Sequence, residues 1–140
     1  MNNTKEKITV ETIVEESMEK VWNAWTQPSH IMLWNNASPD WFTPKAENDL
    51  TIGGKFNYRM EAKDGSFGFD FWGIYDKIIP NELISYTTGD DRWVQIEFSS
   101  VENGIKIIES FEAESENSIE LQKKGWQLIL DNFKKYTESI

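Results

Sequence analysis

The sequence predicts an α+β fold in which an antiparallel sheet of six to seven strands wraps around one long C-terminal helix. Three observations point to it. Apolar and polar residues alternate along short runs in the middle of the chain, and turn residues separate these runs. Two short helical segments follow the first strand, and a longer amphipathic helix closes the chain. With 140 residues, the protein is expected to form a single domain over residues 1–140.

The first strand and the two short helices follow from local signals near the N-terminus. Apolar and polar side chains alternate from Ile8 to Val14, which predicts a strand with one buried face. Ser17 suits the N-cap of the first helix because its hydroxyl can accept a hydrogen bond from a backbone N–H. Pro28 can open a second helix that carries Trp34, since proline is tolerated in the first helical turn.

Residues 35–48 carry clustered Asn, Ser and Pro residues and are predicted to form a loop. The loop includes Trp41 and Phe42, which are poor side chains to leave in water, so we expect it to fold back over an apolar surface. After it, Gly53 and Gly54 indicate a bend or bulge in a strand, because glycine readily adopts positive φ.

The middle of the chain is predicted to be an antiparallel meander, because each alternating run ends in residues that favour tight turns. Little helix is expected between these runs, so consecutive strands should be neighbours in the sheet. The predicted strands are Phe56 to Met60, Phe67 to Asp76, Leu83 to Thr88, Trp93 to Ser100 and Ile105 to Ala113.

The chain is predicted to end in one long helix, with Ser115 and Ser118 as alternative N-caps. Gly125 would lie in the middle of this helix, where glycine costs about 1 kcal/mol relative to alanine. We therefore expect close packing at Gly125 to compensate for that cost. The apolar stripe of the helix comprises Trp126, Ile129, Leu130 and Phe133.

The composition excludes several classes of function. A formal net charge of −10 disfavours nucleic acid and anionic membranes as partners, because both would repel the protein. The sequence has no cysteine and a single histidine, His30, so we predict neither a metal site nor a cofactor. No nucleophile motif is present, and no catalytic residue is predicted.

Residues 1–7 lack the apolar stretch of a signal peptide, which predicts a cytoplasmic location.

Ordered motifs run through nearly the whole chain. They are Ser17-x-x-Lys20-Val21-Trp22-x-Ala24-Trp25-Thr26 with Pro28 and Trp34, Asp49-Leu50-x-x-Gly53-Gly54-x-Phe56, Gly73-x-Tyr75-x-x-Ile78-x-Pro80-x-x-Leu83-Ile84, and Gly125-Trp126 with Leu130. In this order they resemble the START-like, helix-grip (SRPBCC) superfamily, which includes the birch-pollen allergen and polyketide cyclases. Within it, the chain is most similar to the family named for the activator of the heat-shock protein 90 ATPase. The resemblance implies a cavity between the sheet and the C-terminal helix, and no universal catalytic residues.

The aromatic residues are expected to be divided between the core and a ligand site. Burying one ring contributes roughly 4–6 kcal/mol, which explains part of the set as core. Others lie near the predicted loop or add more bulk than a thin core can hold, and these are expected to line an apolar pocket. The predicted ligand-binding residues are Trp34, Trp41, Phe56, Tyr58, Phe69, Phe71, Glu109 and Trp126.

Glu109 is the one acidic residue in this set. By alternation it shares a face of the last predicted strand with Ile107 and Phe111, so its carboxylate should point into the cavity. Burial would raise its pKa unless a donor or a cation pairs with it. The alternatives are a bulge of one residue, which would return Glu109 to solvent, and a position at a solvated rim of the cavity.

The sequence therefore predicts non-catalytic binding of a small hydrophobic or aromatic molecule. One alternative is an enzyme of cyclase or hydrolase type that uses Glu109 as its acid or base. Another is a protein-binding module similar to a chaperone cofactor, which would dock through Trp72 and Ile74 on the outer face of the sheet. The same two residues could form a homodimer contact.

Overall fold

The computed structural model describes residues 6–140; residues 1–5, which belong to the N-terminal stretch used to predict location, lie outside the described part. Within residues 6–140, seven strands and three helices follow one another. Their bounds are β1 Lys7–Val14, α1 Met18–Thr26, α2 Pro28–Trp34, β2 Trp41–Asn48, β3 Lys55–Ala62, β4 Gly68–Ile79, β5 Leu83–Thr88, β6 Trp93–Val101, β7 Gly104–Glu112 and α3 Ile119–Ser139.

All seven strands form one antiparallel sheet in the order β1-β7-β6-β5-β4-β3-β2. The strands from β2 to β7 are neighbours in sequence, as predicted for a meander. The crossover through α1 and α2 carries the chain from β1 at one edge of the sheet to β2 at the other. The predicted α+β fold, with two short helices after β1 and a long C-terminal helix, is confirmed.

The two short helices begin where the sequence predicts. The Ser17 hydroxyl accepts a hydrogen bond from the Lys20 N–H at 3.2 Å, which caps α1. Pro28 occupies the first turn of α2. The indole N–H of Trp34 donates to the Ala24 carbonyl oxygen at 2.8 Å, and this buried bond ties α2 to α1.

The loop prediction for residues 35–48 is wrong in its second half, because β2 begins at Trp41. The strand lies at the edge of the sheet, and its register against β3 shifts between Phe42 and Lys45. Pro44 falls within this irregular stretch, where its missing N–H breaks no regular ladder. An edge strand with a proline and an irregular register lacks the alternation that would have revealed it.

Gly53 and Gly54 lie in the turn between β2 and β3, and not within a strand as predicted. Gly53 has a φ of +84°, the conformation for which glycine was expected. Its N–H donates to the Tyr75 carbonyl oxygen at 2.8 Å, so the turn is bonded to β4.

Helix α3 begins at the second of the two predicted caps: the Ser118 hydroxyl accepts a hydrogen bond from the Leu121 N–H at 3.1 Å. Leu130 and Phe133 from the predicted apolar stripe are fully buried. The expectation of close packing at Gly125 is wrong, because no atom lies within 4 Å of the position that a Cβ would take there.

The apolar core lies between the inner face of the sheet and the three helices. Val10, Val94 and Ile107 from the sheet pack in one cluster with Val21 and Leu130 from the helices. None of the helices within residues 6–140 combines the length and apolar composition needed to cross a bilayer. The predicted cytoplasmic location stays a prediction.

Candidate ligand-binding cavity

A cavity of about 260 Å³ lies between the inner face of the sheet and the helices. Each strand from β3 to β7 contributes to its lining, as do the three helices and the turn before β6. The lining residues are Trp25, Trp34, Asn35, Tyr58, Met60, Phe69, Phe71, Tyr75, Ile84, Tyr86, Arg92, Ile96, Glu109, Trp126 and Ile129.

Aromatic rings make up most of the cavity wall, and contacts among them hold them in place. The Trp126 ring stacks on Phe111, with centroids 3.9 Å apart and planes at 13°. Phe71 meets the same indole edge-on at 6.1 Å. On the helical side, the centroids of Trp25 and Trp34 are 5.0 Å apart. Such packed pairs keep the wall ordered around an open volume.

Six of the eight residues predicted to bind a ligand come together around this cavity, and Trp41 and Phe56 do not. Trp41 packs against Phe67 and Phe69 at centroid distances of 6.1 and 6.0 Å. Phe56 is fully buried over Gly73, where a Cβ would lie 2.8 Å from its ring. The six that line the cavity are Trp34, Tyr58, Phe69, Phe71, Glu109 and Trp126. Ligand contact by any of the eight stays a prediction.

Sequence reasoning missed part of the lining. Tyr86 pairs with Tyr75 across β5 and β4, and the alternation of Ile84 and Tyr86 along β5 could have indicated it. Arg92 had no such signal, since it lies in the turn before β6 and only the tertiary structure brings it to the cavity. Trp25 was predicted on the apolar stripe of the first helix and in the family motif, and not as a ligand-binding residue, although its ring forms part of the cavity wall.

Glu109 points into the cavity, as the alternation along β7 predicts. It lies opposite Val10 on β1 and Ile96 on β6, and only 7% of its surface is exposed. Burial raises the pKa of its carboxyl group to about 8, because an apolar environment penalises the charged form. Burial is the single cause of this shift, and no donor or cation within residues 6–140 offsets it.

Three tyrosine hydroxyls add polar groups to the wall. The Tyr75 hydroxyl donates to the Asn48 side-chain oxygen at 2.5 Å, and the Tyr58 hydroxyl lies near that of Tyr75. Asn48 in turn donates to the Thr26 carbonyl oxygen at 2.8 Å. Burial raises the pKa of Tyr75 to about 12 and that of Tyr58 well above its ordinary value. Burial and the nearby Glu109 carboxyl also raise the pKa of Tyr86, so all three keep their protons at neutral pH.

Arg92 carries the other formal charge in the lining, and Asp90 pairs with it. Its Nε lies 2.8 Å from a carboxylate oxygen of Asp90. Its Nη1 donates to the Glu112 carbonyl oxygen at 3.4 Å, and its backbone N–H donates to the Thr88 hydroxyl at 3.0 Å. The positive charge of Arg92 is therefore compensated at the rim of the cavity.

No three side chains among the His, Asp and Glu residues of the described chain lie close enough together to hold a metal ion. His30 lies outside the cavity lining, and its Nδ1 is 2.5 Å from the Tyr136 hydroxyl. The chemistry open to the cavity thus rests mainly on one carboxyl group, one guanidinium and the tyrosine hydroxyls, since the indole N–H of Trp34 is already bonded to Ala24.

Comparison with known proteins identifies one family. The sequence profile of the family described as "Activator of Hsp90 ATPase homolog 1-like protein" matches residues 15–138. No curated protein matches the chain significantly.

Two solved structures are similar to this chain in both sequence and fold. The solution structure of the AHSA1-like protein from Aeromonas hydrophila has a TM-score of 0.91 at 42% identity, covering 96% of this chain and 93% of that chain. The solution structure of a protein from Cytophaga hutchinsonii has a TM-score of 0.83 at 53% identity, covering 95% of this chain and 92% of that chain. A crystal structure from Chromobacterium violaceum, at 22% identity and a TM-score of 0.85 over 95% and 98% of the two chains, shows the shared fold alone.

Proposed function

The chain belongs to the family of Activator of Hsp90 ATPase homolog 1-like proteins, and we propose that it binds one small, mainly apolar molecule without transforming it. The observation that carries this proposal is the aromatic cavity between the sheet and α3. Ligand pockets are typically lined by apolar and aromatic side chains with a few polar groups that orient the ligand. The tyrosine hydroxyls, Glu109 and Arg92 supply such groups here.

The size of the cavity restricts the ligand. Its volume of about 260 Å³ lies just below the roughly 300–1,000 Å³ of common small-molecule pockets. A compound of one or two rings fits this space better than a long acyl chain does. The rings of Trp25, Trp34, Phe71 and Trp126 in the wall also favour a ligand that contains a ring, because aromatic rings gain contact area by stacking or by meeting edge-on.

Tryptophan fluorescence can test the proposal, because Trp25, Trp34 and Trp126 line the cavity. Titration with neutral one- and two-ring compounds, such as 2-phenylethanol and 1-naphthol, should give a saturable signal. Phe71→Arg places a charge in the cavity and should weaken binding at least about tenfold. Ile74→Arg changes an exposed position on the opposite face of β4, and its affinity should stay within about twofold of the parent.

Circular dichroism would establish that both variants are folded before their affinities are compared. The absence of saturable binding by the parent protein, or an equal loss in the two variants, would contradict the proposal.

A second candidate function is acid–base catalysis of cyclase or hydrolase type by Glu109. The observation in its favour is a buried carboxyl group whose pKa of about 8 lies near neutral pH, where a side chain can both release and accept a proton. Aryl esters and cyclisable aryl ketones would serve as test substrates. If this function is right, the parent protein turns over such a substrate and Glu109→Gln abolishes the turnover while ligand binding persists. No turnover by the parent protein, or equal turnover by the parent and the variant, would exclude it.

Association with another protein, or with a second copy of the chain, is a separate proposal. Trp72 and Ile74 on the outer face of the sheet are 37% and 36% exposed. The Lys55 ammonium nitrogen lies 4.5 Å from the centroid of the Trp72 ring, so part of this apolar surface is already covered. Light scattering of the parent and of Ile74→Arg would distinguish a dimer that uses this face from a monomer.

A further inference from the structure

Two buried polar side chains face the cavity without a partner from the described chain. Glu109 and Tyr86 are each only 7% exposed, and both line the cavity. No hydrogen bond to either side chain is formed within residues 6–140, and the polar groups of both border the open volume of the cavity. Buried polar groups are nearly always hydrogen-bonded. Their partner is therefore to be sought in a ligand.

The wall around this pair of polar groups suits a cation. Eight of the fifteen lining residues are aromatic. The faces of aromatic rings carry negative electrostatic potential, so a ring attracts an ammonium group that lies over its face. A ring-lined cavity that also contains a carboxyl group is a common arrangement for recognising an organic cation.

The other charges near the cavity allow a cation to enter. Arg92 is the second charged residue of the lining, and its Nε is bound to Asp90 at 2.8 Å. Besides Arg92, the titratable side chains that share the cavity lining with Glu109 are Tyr58 on β3, Tyr75 on β4 and Tyr86 on β5, and all three hydroxyls are neutral at neutral pH. α1, α2, α3, β1 and β6 add no titratable side chain to the lining. The net charge of −10 attracts cations over longer distances.

We propose that the cavity selects a small organic ammonium ion with an apolar ring, bound by an ion pair between its nitrogen and Glu109. The ammonium donates one hydrogen bond to the carboxylate and a second to the hydroxyl oxygen of Tyr86, while the ring packs against Phe71 and Trp126. The inference rests on the proposed ligand-binding function and names its ligand class.

Proton balance makes this inference measurable. In the free protein Glu109 is mostly protonated at pH 7, because its pKa is about 8. An ammonium ligand enters already protonated, so the carboxyl proton leaves to solvent when the ion pair forms. Affinity should therefore rise about tenfold per pH unit below pH 8. It should level off above pH 8 and fall once an alkylamine loses its own proton near about pH 10.

The experiment compares three ligands of nearly the same shape by isothermal titration calorimetry. They are 2-phenylethylamine, its neutral analogue 2-phenylethanol, and the anion 3-phenylpropionate. We expect the amine to bind at least about tenfold more tightly than the alcohol at pH 8, and the anion to bind most weakly. At pH 7, buffers of different ionisation enthalpy should report release of nearly one proton per bound amine.

Glu109→Gln keeps the shape of the side chain and removes its charge. It should abolish proton release and weaken binding of the amine at least about tenfold more than binding of the alcohol. Glu97→Gln removes an exposed carboxylate from β6, and this matched control should behave as the parent does.

The possible results separate this inference from the proposed function. Binding of the alcohol with no preference for the amine, or an amine affinity that does not rise with pH, would overturn the inference and leave the proposed function standing. Tighter binding of the anion would also overturn it. If none of the three ligands binds, both fail.

Discussion

The two halves of the sheet differ in what they pack against. In the β1–β7–β6 half, inward side chains such as Val10, Val94 and Ile107 are fully buried and pack in the apolar core. In the β3–β4 half, Tyr58 and Phe71 are only partly buried, and Phe69 is 39% exposed. The same inward alternation therefore produces mainly core in one half, where Ile96 and Glu109 reach the cavity, and a row of cavity-lining side chains in the other.

The difference shows that an inward-facing side chain is not necessarily a core side chain. α3 packs along β1, and its buried residues Leu130 and Phe133 fill the space over that half of the sheet. Towards β3 and β4, the space below Trp126 stays open. Glu109 faces this open space although its own strand belongs to the solid half, which explains how a carboxyl group is tolerated in a row with Val10 and Ile96.

The largest expected effect is the change of the free energy of unfolding with pH that Glu109 causes at the boundary of the two halves. Between pH 4.5 and 8 the unfolded chain has lost this proton while the folded protein keeps it, since burial raises the folded pKa from 4.5 to about 8. The folded state then binds more protons, so the free energy of unfolding falls by about 1.4 kcal/mol per pH unit, about 5 kcal/mol in all. The loss is absent below the unfolded pKa and complete above the folded one.

Urea denaturation of the parent protein and of Glu109→Gln at several pH values would measure this effect. The variant should gain stability relative to the parent as the pH rises to 8, and the difference should then stay constant. A difference that does not change with pH would mean that Glu109 is solvated, and the boundary between the halves would have to be redrawn.

The next prediction compares the stability lost when one aromatic ring is removed from each half of the sheet. Phe111→Ala in β7 removes a fully buried side chain and should cost about 3–5 kcal/mol of unfolding free energy. Phe69→Ala in β4 removes a ring that is 39% exposed and borders a cavity, so its cost should be about 1 kcal/mol or less. The midpoints of chemical denaturation provide the comparison, and equal costs would contradict the division of the sheet.

The smallest effect concerns α3 itself. Gly125→Ala should stabilise the protein by about 1 kcal/mol, because alanine favours a helix and no atom lies within 4 Å of the new Cβ. Thermal denaturation should show a corresponding rise in Tm. A fall in Tm would indicate that the first half of α3 packs more closely than the open space beside Gly125 suggests.

Most of the fold could be predicted from the sequence because its signals are local. Strand alternation, the cap at Ser17 and the proline at the start of α2 each depend on a few neighbouring residues. The strand β2 was not predicted because it lies at an edge of the sheet and contains Pro44, which interrupts its pairing. The strand is recognised by its hydrogen bonds to β3 and not by alternation in its own sequence.

The candidate site was predictable only in part. Alternation alone determined that Tyr58, Phe71 and Glu109 face inward, because the direction of a strand side chain follows from its parity. Tertiary packing decided that Phe56 is core, since it fills the space over Gly73, and that Arg92 reaches the cavity from a turn. Local periodicity determines which way a side chain points, whereas only the packing of distant elements decides whether it meets another side chain or an open volume.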